Sequence, residues 1–92
     1  MIESFKHKEL ERYFKSGSTA RIRNEHEKRL RLILARVQAA TEPRDMNLPG
    51  LKLHELKGKQ KGRWSVWVSG NWRVTFKFKG VDAVEIEYED YH

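Results

Sequence analysis

Apolar residues fall on even-numbered positions through the last third of the chain. Trp64, Val66 and Val68, then Trp72, Val74, Phe76 and Phe78, then Val84, Ile86 and Tyr88 keep one parity. Such period-two patterning marks strands buried on one face only. The runs are separated by Ser69-Gly70-Asn71 and Gly80-Val81-Asp82, residues that turn a chain readily. Holding one parity through both turns calls for an odd loop length. The pattern therefore predicts three-residue hairpin loops, with Val74 beside both Val66 and Tyr88. The expected product is a three-stranded antiparallel meander with one apolar face to be covered. Its other face carries Arg73, Thr75, Lys77, Glu85 and Glu87 and reads as an exposed polar surface. The last strand brings Glu89, Asp90, Tyr91 and His92 together at one sheet edge.

Upstream of the meander the periodicity changes. Met1-Ile2-Glu3-Ser4-Phe5 reads as a short N-terminal strand. A helix is predicted from about His7 to Lys15, with Leu10, Tyr13 and Phe14 at helical spacing and Gly17 placed to end it. Ser16 to Arg23 is a basic, polar linker. Asn24 followed by Glu27 has the form of a capping box. Leu30, Ile33, Leu34, Val37 and Ala40 then form an apolar stripe, so a second helix is predicted to reach about Ala40. Lys28, Arg29, Arg31 and Arg36 line its outer side. Pro43 stops it, Asp45 to Gly50 is a loop containing Pro49, and Leu51-Lys52-Leu53-His54 alternates as a strand. The order is a short strand, two helices, then about four further strands in an antiparallel sheet. Residues 1–92 are expected to form one α+β domain.

Composition narrows the chemistry. There is no cysteine, which removes disulfides and thiolate metal sites. No apolar run approaches ~18 residues and no signal peptide is evident, so a cytoplasmic protein without a membrane partner is expected. The net charge is +6, which favours an acidic partner. Residues 1–62 hold fifteen Lys or Arg against eight Asp or Glu, whereas residues 63–92 hold four against five. The basic surface is thus expected on what packs around the meander.

The densest cationic stretch is Leu56-Lys57-Gly58-Lys59-Gln60-Lys61-Gly62-Arg63, with four alternating cations, no acid and two glycines. Cations on a backbone free to approach a ligand suit a phosphate chain, where Lys and Arg give affinity without reading sequence. The stretch matches no P-loop. Among the four histidines, His7 and His26 lie in helical surface stretches and read as ordinary polar residues. His54 ends an alternating strand just before the basic loop, and His92 ends the chain. Histidines so widely spaced, without cysteine, make a poor metal signature, so no metal and no cofactor are expected. An imidazole is a natural acid or base for RNA chemistry.

The chain resembles the RelE superfamily of toxins from bacterial toxin–antitoxin systems, and within it the HigB type. The matching stretches are Met1-Ile2-Glu3-Ser4-Phe5, Ala40-Thr41-Glu42, Leu53-His54-Glu55-Leu56-Lys57-Gly58, Asn71-Trp72-Arg73-Val74-Thr75-Phe76 and Tyr88-Glu89-Asp90-Tyr91-His92. The Asn-Trp-Arg stretch together with the terminal Asp-Tyr-His is the specific part. The resemblance implies a RelE-like fold, ribosome-dependent cleavage of messenger RNA in the A site, and silencing by a helix-turn-helix (HigA-like) antitoxin. By position it implies active-site roles for His54, Lys57, Asn71, Arg73, Asp90, Tyr91 and His92.

The reaction implied is metal-free. A base takes the ribose 2′-hydroxyl proton, the oxygen attacks the adjacent phosphate, and an acid protonates the departing 5′-oxygen. Lys57 and Arg73 are expected to stabilise the phosphorane charge, and Tyr91 to stack on a base. His54, Asp90 and His92 are the acid and base candidates, with the two roles unassigned. Lys57, Lys59, Lys61, Arg63 and Asn71 are the expected contacts to RNA and ribosome. Two alternatives stand beside this reading: a catalytically degenerate RNA- or protein-binding module of the same fold, and a ribosome-independent ribonuclease.

Overall fold

The computed structural model describes residues 1–90, so the roles expected of Tyr91 and His92 lie outside the described residues. Helix α1 spans Lys8–Ser16. Nδ1 of His7 accepts from the Leu10 N–H at 3.0 Å and caps its start. Gly17, at φ 79°, adopts the left-handed conformation that ends it, its N–H donating to the Tyr13 carbonyl. Helix α2 spans Glu27–Ala39 and is preceded by one 3₁₀ turn, Asn24–His26.

The expected capping box is not formed: Asn24 lies inside the 3₁₀ turn, and the residues at the two N-cap positions, Arg23 and His26, make no side-chain cap bond. Glu27 is engaged elsewhere: Arg31, one turn on, reaches it at 2.7 Å, and the Tyr13 hydroxyl donates to it. These bonds hold its carboxyl below the usual range, the Arg31 contact most. The apolar stripe behaves as predicted, with Leu30, Ile33, Leu34, Val37 and Ala40 all buried.

The sheet has the order β1-β2-β3-β4, all antiparallel, with β1 His54–Glu55, β2 Trp64–Ser69, β3 Trp72–Lys79 and β4 Asp82–Asp90. Its apolar face packs with the helices around Phe76, Val66, Val74 and Ile86, giving an α+β fold. Val66 pairs with Val74 and Val74 with Tyr88, the predicted register. The loops themselves differ from expectation. Each hairpin turns on two residues, Gly70-Asn71 and Gly80-Val81, and each carries a register shift nearby. Two-residue hairpins favour positive φ at the first loop position, which Gly70 (55°) and Gly80 (64°) supply. A two-residue loop plus one bulged residue preserves parity just as a three-residue loop would.

The second bulge moves one side chain across the sheet. Glu85 stands at φ 53°, and the register slips between Thr75 and Lys77. Between this bulge and the turn, Ala83 rather than Val84 enters the core, while Val84 pairs with Lys77 on the polar side. The same bulge explains the N-terminus. Ile2 and Phe5 bridge in parallel to Ala83 and Ile86, but the ladder is broken between them, where the Glu85 N–H donates to Ser4 Oγ at 2.8 Å. The N-terminal segment is thus two isolated bridges and not a continuous strand. The strand expected over Leu51–His54 is likewise shortened to His54–Glu55, because Lys52 lies at φ 51°.

Candidate functional site

The polar side of the sheet is only partly exposed. Arg63 folds back over it, donating from Nη2 to the Thr75 hydroxyl and to the Glu85 carbonyl, both at 2.8 Å. Ser65 and Thr75 beneath are fully buried, and Arg63 is 8% exposed. Arg63 therefore stands apart from the loop cations with which it was grouped. Its guanidinium serves the sheet, with the Glu85 carboxylate 3.8 Å from Nη1.

Lys57, Lys59 and Lys61 are exposed on the loop between β1 and β2. A 3₁₀ turn at Gly58–Gln60 shapes this loop. Its base is closed by the Leu56 N–H on the Arg63 carbonyl at 2.8 Å and the Gly62 N–H on the Glu55 carboxylate at 3.1 Å. Gly62 sits at φ 95°, where a side chain would be strained.

Along the sheet from this loop lies the central pair. The two-residue length of β1 leaves His54 exposed opposite Ser65. Its Nε2 is 3.4 Å from Arg73 Nη1, and its Nδ1 is 3.2 Å from the Lys52 carbonyl. Arg73, half-buried on β3, also donates from Nη1 to Ser65 Oγ at 3.3 Å. Glu89 faces Arg73 across the β3–β4 pair, and Glu87 faces Thr75. Two cationic or titratable side chains from different strands thus meet on a face edged by carboxylates.

Asn71 and Asp90 occupy the far end of the same sheet. Asn71 is exposed in the β2–β3 loop, and Asp90 is exposed opposite Trp72, the residue that follows Asn71. The basic loop enters β2 at Trp64 and the Asn71 loop leaves it at Ser69, a separation of roughly 17 Å at ~3.3 Å per residue. The expected site residues therefore form a track, not a cluster: loop lysines, then His54 and Arg73, then Asn71 and Asp90. Among the described residues no three histidine or carboxylate side chains converge as metal ligands.

Next to Asp90, its strand partner Trp72 belongs to a cluster of rings that alternation along the strands does not reveal. His26, expected at the surface, is 2% exposed, and its Nδ1 lies 2.6 Å from the Tyr88 hydroxyl. Trp72 stacks tilted on Tyr88 at 4.7 Å, the His7 ring meets Tyr88 edge-on at 5.3 Å, and the Arg23 guanidinium lies 5.6 Å from the Trp72 ring. Burial lowers the His26 pKa and raises that of Tyr88. A signal was present: His26 stands four residues before Leu30, in line with the stripe Leu30, Ile33, Leu34 and Val37. A concavity of about 550 Å³ between α1 and α2, lined by Phe14, Arg31 and Leu34 among others, contains none of the site residues.

The family model for the RelE-like toxin of type II toxin–antitoxin system HigB matches residues 3–92. The chain belongs to the HigB-like toxins. It is similar to Endoribonuclease HigB of Proteus vulgaris, with 44% identity over 92 residues and 100% of both chains covered. For a HigB-like toxin the α+β arrangement above is RelE-like, and membership of a type II system implies an antitoxin partner. No helix of the described residues is long and apolar enough to cross a membrane.

Proposed function

We propose that this HigB-like toxin is an endoribonuclease that cuts messenger RNA in the ribosomal A site, without a metal, by 2′-hydroxyl attack. The observation that carries the reading is the His54–Arg73 contact at 3.4 Å on the exposed side of the sheet. One group is an imidazole, able to act as acid or base, and the other is a fixed cation beside it. Attack of the 2′-oxygen forms a bond to the adjacent phosphorus and breaks the bond to the 5′-oxygen. Arg73 and Lys57 stabilise the negative charge that builds on the phosphate. Lys59 and Lys61 hold flanking RNA, message or ribosomal, by its phosphates. Arg63 supports the face beneath them. Asn71 and Asp90 meet the substrate at the other end of the track. Tyr91 stacks on a base, and His92 joins Asp90 as an acid–base candidate. The ribosome supplies the order that a small basic protein on flexible RNA lacks. The antitoxin is a HigA-like helix-turn-helix protein, and the setting is the cytoplasm, where ribosomes are.

The test is induced synthesis of the chain without antitoxin, with mapping of transcript ends, followed by the purified protein on programmed ribosomes and on naked message. Growth arrest with cuts inside translated frames, and cleavage only on ribosomes, is the expected result. Equal cleavage of naked message would make it a ribosome-independent ribonuclease. Binding without cleavage in either setting would make it a degenerate module.

A further inference from the structure

His54 lies between two groups that each have a single hydrogen-bonding role. The Lys52 carbonyl, 3.2 Å from Nδ1, can only accept. The Arg73 guanidinium, 3.4 Å from Nε2, can only donate. Both contacts are satisfied at once by one form of the ring: neutral, with the proton on Nδ1 and a lone pair on Nε2.

The carbonyl reaches Nδ1 because of a kink. Lys52 has φ 51°, left-handed and unfavourable for a residue with a Cβ. Several contacts hold it there. The Leu51 carbonyl accepts from the Trp67 N–H at 2.7 Å, and Lys52 Nζ lies 4.4 Å from the Trp67 ring centre. Arg29 ties the Gly50 carbonyl to the Trp67 carbonyl, donating to both. A backbone outlier so surrounded, two residues before a titratable side chain, is the pattern of stored strain put to use.

We propose that Lys52 is a positioning residue: its left-handed backbone locks His54 in the Nδ1–H tautomer, making Nε2 the general base. The inference rests on the cleavage reading above. The 2′-hydroxyl proton passes to Nε2 as the 2′-oxygen bonds to phosphorus. The bond from phosphorus to the 5′-oxygen breaks, and that oxygen takes a proton from an acid at the chain end or from water.

The experiment is nitrogen-15 multiple-bond NMR of the histidine rings in the full chain, with His54→Ala identifying the signal. Lys52→Val disfavours the left-handed conformation, whereas Lys52→Asn tolerates it. Wild type is expected to show the Nδ1–H pattern alone. Lys52→Val should mix the tautomers and lower the single-turnover rate about tenfold or more, part of the 10²–10⁴ typical of acid–base catalysis, with KM unchanged. Lys52→Asn should recover both pattern and rate. An Nε2–H pattern in wild type, or equal behaviour of the Val and Asn variants, overturns the lock, and the wild-type spectrum decides even where Lys52→Val misfolds. Wild-type cleavage by His54→Ala overturns the base assignment. Because the tautomer is read on the free protein, that failure is distinct from failure of the lock.

Discussion

The Tyr88 hydroxyl lies 2.6 Å from His26 Nδ1, joining the turn before α2 to the last strand two residues before Asp90. Burial depresses the His26 pKa below its usual 6.5, with the Arg23 cation adding to the effect and Glu25 opposing it. The folded protein thus binds fewer protons than the unfolded chain in the window below about 6.5. Stability is expected to be full above that pH and to fall as pH drops through it, by at most about 1.4 kcal/mol per pH unit. Thermal melts between pH 7.5 and 5 check this, with His26→Gln giving a flatter dependence. Parallel curves for the two proteins would remove His26 as the cause.

Much of this fold could be read from parity, and the exceptions have specific causes. Val66, Val74 and Tyr88 were placed in register because each hairpin adds an odd number of residues, however divided between loop and bulge. Where the extra residue sits is a tertiary matter. Glu85 bulges beside the N-terminal segment, and the local alternation points to Val84, not Ala83, as the core residue. The kink at Lys52 was hidden by the alternation of Leu51 and Leu53. Burial of Ser65 and Thr75 depends on Arg63 folding back, which its place among the loop lysines concealed. In the site, alternation put Arg73 on the polar side, but its contact with His54, 19 residues away in sequence, came only with the sheet order.

The burial of Arg63 gives a stability prediction. Arg63→Ala leaves the Thr75 hydroxyl and the Glu85 carbonyl without their shared donor, and should cost about 1–3 kcal/mol in urea unfolding. Lys59→Ala and Lys61→Ala, on the exposed loop, should stay within about 0.5 kcal/mol of wild type. If Arg63→Ala proves as stable as the lysine variants, its supporting role beneath the face is wrong.

The loop lysines should instead govern binding to RNA. Doubly substituted Lys59→Ala, Lys61→Ala protein is expected to bind ribosomes more weakly and with a flatter salt dependence. Each lost phosphate contact removes about 0.7–0.9 units of the log–log slope. Binding measured from low to moderate salt reads the slope directly. An unchanged slope would leave the loop as a solvated hairpin.

Arg73 separates chemistry from architecture. Its Nη1 serves both Ser65 Oγ and His54 Nε2, so Arg73→Ala removes a donor from a buried hydroxyl as well as a cation from the proposed reaction. The buried hydroxyl should cost about 1 kcal/mol of stability, a tolerable loss for a folded domain. The cation should cost far more in rate, on the order of 10²–10³ for one lost donor to developing charge. Arg73→Lys keeps the charge but loses the planar fork that reaches two partners, and should fall between wild type and alanine. Single-turnover cleavage on programmed ribosomes at saturating protein isolates the rate from binding, and urea unfolding reads the stability of each variant. Arg73→Ala cutting at the wild-type rate would end its assignment to the phosphate. Early unfolding of both variants would instead make Arg73 chiefly a structural partner of Ser65.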